Sequence, residues 1–158
     1  MNLDQIGVQL NSMFECIYYK IDEIIVNEIK KIIHSYKGID VSNNTYTQKG
    51  FQTTNILDLF SNNILEKMIP INKLHKKIFH IHYIKYEKGG YQMEHFHKPD
   101  KYSFILYLNN SDGNTVLKDP VNETFCPEKG KIVVFSGKIL HYGEPSFKDK
   151  EILVGAIK

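Results

Sequence analysis

The sequence predicts an α+β protein: a mainly antiparallel, double-stranded barrel with N-terminal helices packed on one outer face. Three observations carry this. Apolar residues early in the chain recur at three- and four-residue spacing, as on an amphipathic helix. From about residue 75 the period changes to two, the mark of half-buried strands. The strands that follow are short and bounded by Gly, Pro, Asn or Asp, the pattern of sandwiches and barrels.

The elements follow in order. Residues 14–34, "FECIYYKIDEIIVNEIKKIIH", set Ile17, Ile21, Ile24, Ile25, Ile29 and Ile32 on one helical stripe, with Gly38 as the C-terminal glycine. A shorter helix is expected over 57–68, capped by Asn55 or Asp58 and stopped before Pro70. "KIFHIHYIKY" then alternates Ile78, His80, His82, Ile84 and Tyr86 against Phe79, Ile81, Tyr83 and Lys85. Gly89–Gly90 reads as a turn between strands. "YSFILYLN" sets Ser103, Ile105 and Tyr107 against Tyr102, Phe104, Leu106 and Leu108. "NTVLKD", "ETFCP", "KIVVFS", "ILHY" and "EILVGAIK" complete about eight strands.

The chain of 158 residues suits one domain, 1–158, with a helical N-terminal part over 1–74 and the barrel core over 75–158. The formal net charge is only +2 and the lysines are scattered, so no nucleic-acid surface is expected, and no apolar run approaches the length of a membrane span. No secretory signal is visible, and the only cysteines, Cys16 and Cys126, read as reduced thiols of a cytoplasmic protein. The sequence contains no arginine, so an anionic ligand must be held by Lys, Tyr, Ser, His or backbone N–H groups. The oligomeric state is left open.

The chemistry-bearing stretch is "YEKGGYQMEHFHKPDKYSFILYLNN", residues 86–110. Two histidines two apart on a strand share a face, so His95 and His97 aim at one point. Imidazole suits Fe(II), Zn and other divalent first-row ions. A late strand of a closed barrel brings His141 beside them, and three ligands on one face of an ion leave positions for substrate and oxygen. His80 and His82 form a second His-x-His and read as histidines lining or supporting the barrel.

From about residue 78 onward the spacing resembles the 2-oxoglutarate/Fe(II)-dependent dioxygenases, in particular their prolyl-hydroxylase-like branch. The features are Tyr86, Gly89 and His95, then Tyr107-Leu108-Asn109, Pro127-x-x-Gly130 before an apolar strand, and His141 with Pro145 four on. The resemblance implies a double-stranded β-helix (jelly-roll, cupin-like) fold. It also implies Fe(II), 2-oxoglutarate and O2 as cofactors and cosubstrates. The expected reaction is hydroxylation of a small-molecule or peptide substrate with succinate and CO2 as co-products.

The resemblance makes His95, His97 and His141 the metal ligands. It makes Lys150, with Lys148 as second choice, the partner of the far carboxylate of 2-oxoglutarate. Tyr107 would donate to that carboxylate, Tyr86 would sit near the metal-proximal one, and Ser103 is a weaker candidate. One departure stands out: the usual His-x-Asp or His-x-Glu reads His95-Phe96-His97. Either His97 ligates, or Asp100 or Glu94 reaches in, or the metal is lost; shared strand face favours His97. Two other classes compete: a cupin-type three-histidine metalloenzyme independent of 2-oxoglutarate, and a non-catalytic binding module on the same barrel.

Overall fold

The computed structural model describes residues 14–38, 41, 46–98 and 101–158. Its elements are β1 (Cys16–Lys20), α1 (Glu23–Ser35), β2 (Thr47–Gln52), α2 (Asn62–Met68), β3 (Ile78–His95), β4 (Tyr102–Tyr107), β5 (Thr115–Leu117), β6 (Glu123–Phe125), β7 (Lys131–Ser136), β8 (His141–Ser146) and β9 (Lys150–Ile157). All pairings are antiparallel, in the order β1-β7-β4-β9-β3-β8-β5-β6, with β2 also on β3. The curled sheet is a jelly-roll double-stranded β-helix.

β3 explains how one sheet makes two walls. Its first half pairs with β9, from Ile78 to Tyr86. Its second half, from Gly90, pairs with β8. Bulges at Gly90/Gln92 and Gln92/His95 bend it between the two. The glycine pair is therefore not a turn between strands but lies inside one strand. Gly89 has φ +83°, and a Cβ on Gly90 would stand 2.3 Å from the Lys49 carbonyl oxygen of β2.

The period of two sorts the side chains as the sequence predicts. Phe104, Leu106, Ile132, Val134, Ile81 and Leu153 face outward into a cluster with Val26 and Ile29 of α1 and Met68 of α2. Ile105, Tyr107, Val133, Phe135, Ile84 and Ile152 face inward. The helices thus cover the outer face of the larger wall.

The N-terminal part differs from expectation. Residues 14–34 are not one helix: β1 comes first, on the edge beside β7, and α1 starts only after Asp22, whose carboxylate accepts from Ile24 N at 2.9 Å. Ile17 and Ile21 are four apart, a spacing that also keeps one face of a strand. Both join Tyr19 in the outer cluster, while Ile24 is 65% exposed. α1 ends on extended Tyr36, two residues before Gly38. The second helix is split into a 3-10 turn at Leu57–Leu59 and α2, which Ser61 caps. Asn55 does accept from Leu57 N, but its oxygen also accepts from Ile81 N and so ties the loop to β3. β2 has no counterpart in the sequence reading. Among the described residues no helix is long and apolar enough to cross a membrane.

Candidate metal and cosubstrate site

His95 ends β3 and pairs in register with His141, the first residue of β8. His97 lies past the end of the strand, so the shared strand face is not what aims it. A backbone bond does: His97 N donates to Gly137 O at 2.8 Å, at the turn after β7. The three imidazoles converge, with candidate ligand atoms all within 4.8 Å of one another. Ring centroids are 4.3 Å apart for His95 and His141, 4.9 Å for His95 and His97, and 5.2 Å for His97 and His141.

Two of these rings have their tautomer set by the backbone. His95 Nδ1 lies 2.7 Å from Met93 O, and His141 Nδ1 lies 2.9 Å from Ile139 O. A carbonyl only accepts, so Nδ1 carries the proton and the Nε2 lone pair is left free to ligate. Removal from water pushes the His141 imidazole down to about 3 and His97 to about 4; the neighbouring imidazole of His95 adds to both shifts. Burial lowers His95 as well, against the opposing bond to Met93. All three are therefore neutral at neutral pH, the form that binds a metal. Three neutral nitrogens on one side of a cavity fit a single divalent first-row ion. Among the described residues no carboxylate joins them: Glu94 points to Lys118, 2.8 Å away. Asp100 lies outside the described residues.

The triad forms one wall of a cavity of about 270 Å3 inside the barrel. Lys150 lines the same cavity and is 3% exposed, whereas Lys148 is exposed. β9 register puts Lys150 opposite Tyr86, and its Nζ donates to Gly113 O at 2.6 Å and lies 5.0 Å from the Tyr86 ring centroid. Burial pushes its ammonium down to about 8, although the charges of Asp112 and Glu144 pull the other way.

Tyr107 is fully buried and donates its hydroxyl to Thr115 at 2.5 Å. Tyr86 spans the space between lysine and triad: its ring lies under Lys150, and its hydroxyl donates to Gln92 Oε1 at 3.2 Å. Gln92 pairs with Gly143, two residues beyond His141. Ser103 lines the cavity but at the opposite end from Lys150, since it pairs with Ala156 while Tyr107 pairs with Ile152.

The cavity also has residues that sequence reasoning did not single out. Tyr46 stacks on His95 at 4.6 Å and 21°. Thr115 and Gln92 receive the two tyrosine hydroxyls. A signal for Thr115 existed, because "NTVLKD" alternates, but nothing in one sequence marks its hydroxyl as the partner of Tyr107. His80 and His82 line the cavity outside the triad; His82 Nδ1 donates to Thr53 O at 2.8 Å.

No family model matches the chain, and no curated protein sequence does. Solved structures share its fold. A prolyl-4-hydroxylase from Pseudomonas putida superposes with a TM-score of 0.71 at 16% identity, covering 98% of this chain and 95% of that one. A viral collagen prolyl hydroxylase from Paramecium bursaria Chlorella virus-1, solved as a 2-oxoglutarate complex, gives 0.59 at 18% identity over 89% of this chain and 94% of that one. A cupin-2 domain from Rhodospirillum rubrum gives 0.51 at 14% identity over 77% and 71%. The fold is the one used by prolyl hydroxylases and other 2-oxoglutarate–Fe(II) oxygenases.

Proposed function

We propose that the protein is a non-haem, Fe(II)- and 2-oxoglutarate-dependent oxygenase that hydroxylates a small-molecule or peptide substrate in the cytoplasm. The observation that carries this is the pairing, in one cavity, of a convergent histidine triad with a buried lysine. A buried ammonium across the cavity from the triad suits a diacid bound at both ends, and the cupin neighbour covers less of the chain than the prolyl-4-hydroxylase does.

Fe(II) held by His95, His97 and His141 would supply the redox chemistry that couples decarboxylation of 2-oxoglutarate, to succinate and CO2, with insertion of oxygen into a C–H bond. The protein's part is to bind, orient and exclude water. Nδ1–H bonds to Met93 O and Ile139 O fix two rings with Nε2 inward. Three neutral imidazoles leave the ion's charge uncancelled, which favours a dianionic cosubstrate. Lys150 would take the far carboxylate, with the Tyr107 hydroxyl beside it; Thr115 and Gly113 O hold both groups in place until then. Ile84, Ile105 and Ile152 form the apolar wall between lysine and triad, suited to the methylenes of a five-carbon diacid. Two free cysteines agree with a reducing compartment.

The test is anaerobic addition of Fe(II) and 2-oxoglutarate to the full chain. The expected result is a weak visible charge-transfer band that needs both additions, then succinate on exposure to air, even without added substrate. Iron binding with neither band nor succinate would overturn the reading.

A further inference from the structure

The inner cavity is not the whole site. Beside it lies a groove of about 500 Å3, open to solvent, walled by Phe79, Phe96, Lys98, Lys101 and Tyr102 and joined to the cavity through His97. Among the described residues its charge is one-sided. No Asp or Glu is among the described residues that line either space. Lys101 Nζ stands 4.9 Å from the Phe79 ring centroid, and the C-terminal Lys158 stands 5.6 Å from the same ring. Among the described residues, none of Lys98, Lys101 and Lys158 forms an ion pair with a carboxylate.

The backbone that carries Lys98 and Lys101 is anchored. Lys101 N donates to Lys98 O at 3.1 Å, and Gly137 N donates to Lys101 O at 2.7 Å. The carbonyl of the same Gly137 accepts from His97. A Cβ at position 137 would stand 2.2 Å from Lys98 O, so only glycine lets the lysine segment lie this close. One residue therefore fixes both the third imidazole and the basic rim of the groove.

An enclosed pocket buries most of a small ligand's surface; an open groove cannot. It suits an extended chain that lies along it and sends one side chain inward. We propose that this groove docks an acidic peptide segment, whose carboxylates meet Lys98, Lys101 and Lys158 while one residue passes His97 toward the triad. The proposal rests on the oxygenase reading for what happens at the triad, but the charge preference of the groove does not depend on it.

Two labelled peptides of one length, differing only in Glu and Asp against Gln and Asn, test this by fluorescence polarisation. They are titrated into the full chain, metal-free and loaded with Mn(II) and 2-oxoglutarate. The acidic peptide is expected to bind at least about tenfold tighter at low salt, with the advantage shrinking as salt rises. Lys101→Glu combined with Lys158→Glu should remove the preference and keep the wild-type affinity for 2-oxoglutarate, which shows that the variant is folded. Equal binding of both peptides by the wild type, or a preference that survives the double reversal, overturns the proposal. So does thermal stabilisation by inorganic phosphate without any peptide preference, which would mark a small-anion rim. Failure of 2-oxoglutarate to bind would sink the oxygenase reading alone, since the peptide preference is still read on the metal-free chain.

Discussion

Burial makes Lys150 a group whose charge waits for a partner. Its ammonium, pushed down to about 8, already rests on one carbonyl, Gly113 O. A bound carboxylate pulls the pKa back up, so above pH 8 binding takes up a proton. The sign follows: affinity for 2-oxoglutarate is flat with respect to this group below pH 8 and falls above it, by up to about tenfold per pH unit. Titration of the Mn(II)-loaded chain between pH 7 and 10 checks this, and the slope should vanish in Lys150→Ala. That variant should also bind 2-oxoglutarate weaker by about 2 kcal/mol or more, since it strips the partner from a buried carboxylate. His97 allows a second test on charge. His97→Asp adds a carboxylate donor and cancels one unit of the ion's charge, so it should keep Mn(II) but bind 2-oxoglutarate less tightly. His97→Ala should lose Mn(II) affinity by about tenfold or more, both read by calorimetry.

At the scale of elements, the bent strand β3 does most to build the site. It carries Tyr86 in its first half, Gln92 and His95 in its second, and holds β2 along its edge. Gly90 sits where β2 comes nearest, so Gly90→Ala must push the two strands apart. The expected result is a loss of about 1–3 kcal/mol in chemical denaturation, with amide exchange in β2 accelerated first. The bend also explains what the sequence concealed. On the first half of β3 the cavity-facing residues are even-numbered: His80, His82, Ile84 and Tyr86. After the bulges the facing residue is His95, so alternation alone loses its phase there. The strands β4, β7 and β9 keep an unbroken period of two, and their inward and outward sets were legible throughout. β1 was not, because Ile17 and Ile21 satisfy helix and strand alike; Asp22 before "EIIVNEIKKIIHS" was the capping signal that separates them. β2, "TQKGFQ", has too few apolar residues to announce a strand, and it exists because β3 offers it an edge. The three triad histidines were legible from motif spacing, whereas their second contacts, Met93 O, Ile139 O and Gly137 O, are backbone groups that no residue type encodes.

For the molecule as a whole, the two clusters divide the labour. The outer one, between helices and the larger wall, is continuous and almost wholly apolar. The inner one is interrupted by the cavity, with buried Lys150, His141, Ser103 and Thr115 along its walls. Two of these side chains would be better placed in water: a lysine whose charge burial penalises, and a histidine that burial keeps neutral. A metal and a diacid would suit these two groups together, the ion taking the lone pair of the neutral imidazole and a carboxylate pairing with the buried ammonium. Ligands that bind only the folded chain stabilise it by RT ln(1 + [L]/Kd), about 2.7 kcal/mol at a hundredfold excess over Kd. For a domain of this size, that is a rise in Tm of roughly 5–10 °C. Mn(II) with 2-oxoglutarate should raise Tm more than the sum of the two added singly, since the ion fixes one end of the diacid and Lys150 the other. Scanning calorimetry on the full chain reads this directly. In Lys150→Ala the excess over the sum should disappear while the shift with Mn(II) alone persists, and a purely additive response in the wild type would show that the lysine and the triad do not hold one ligand between them.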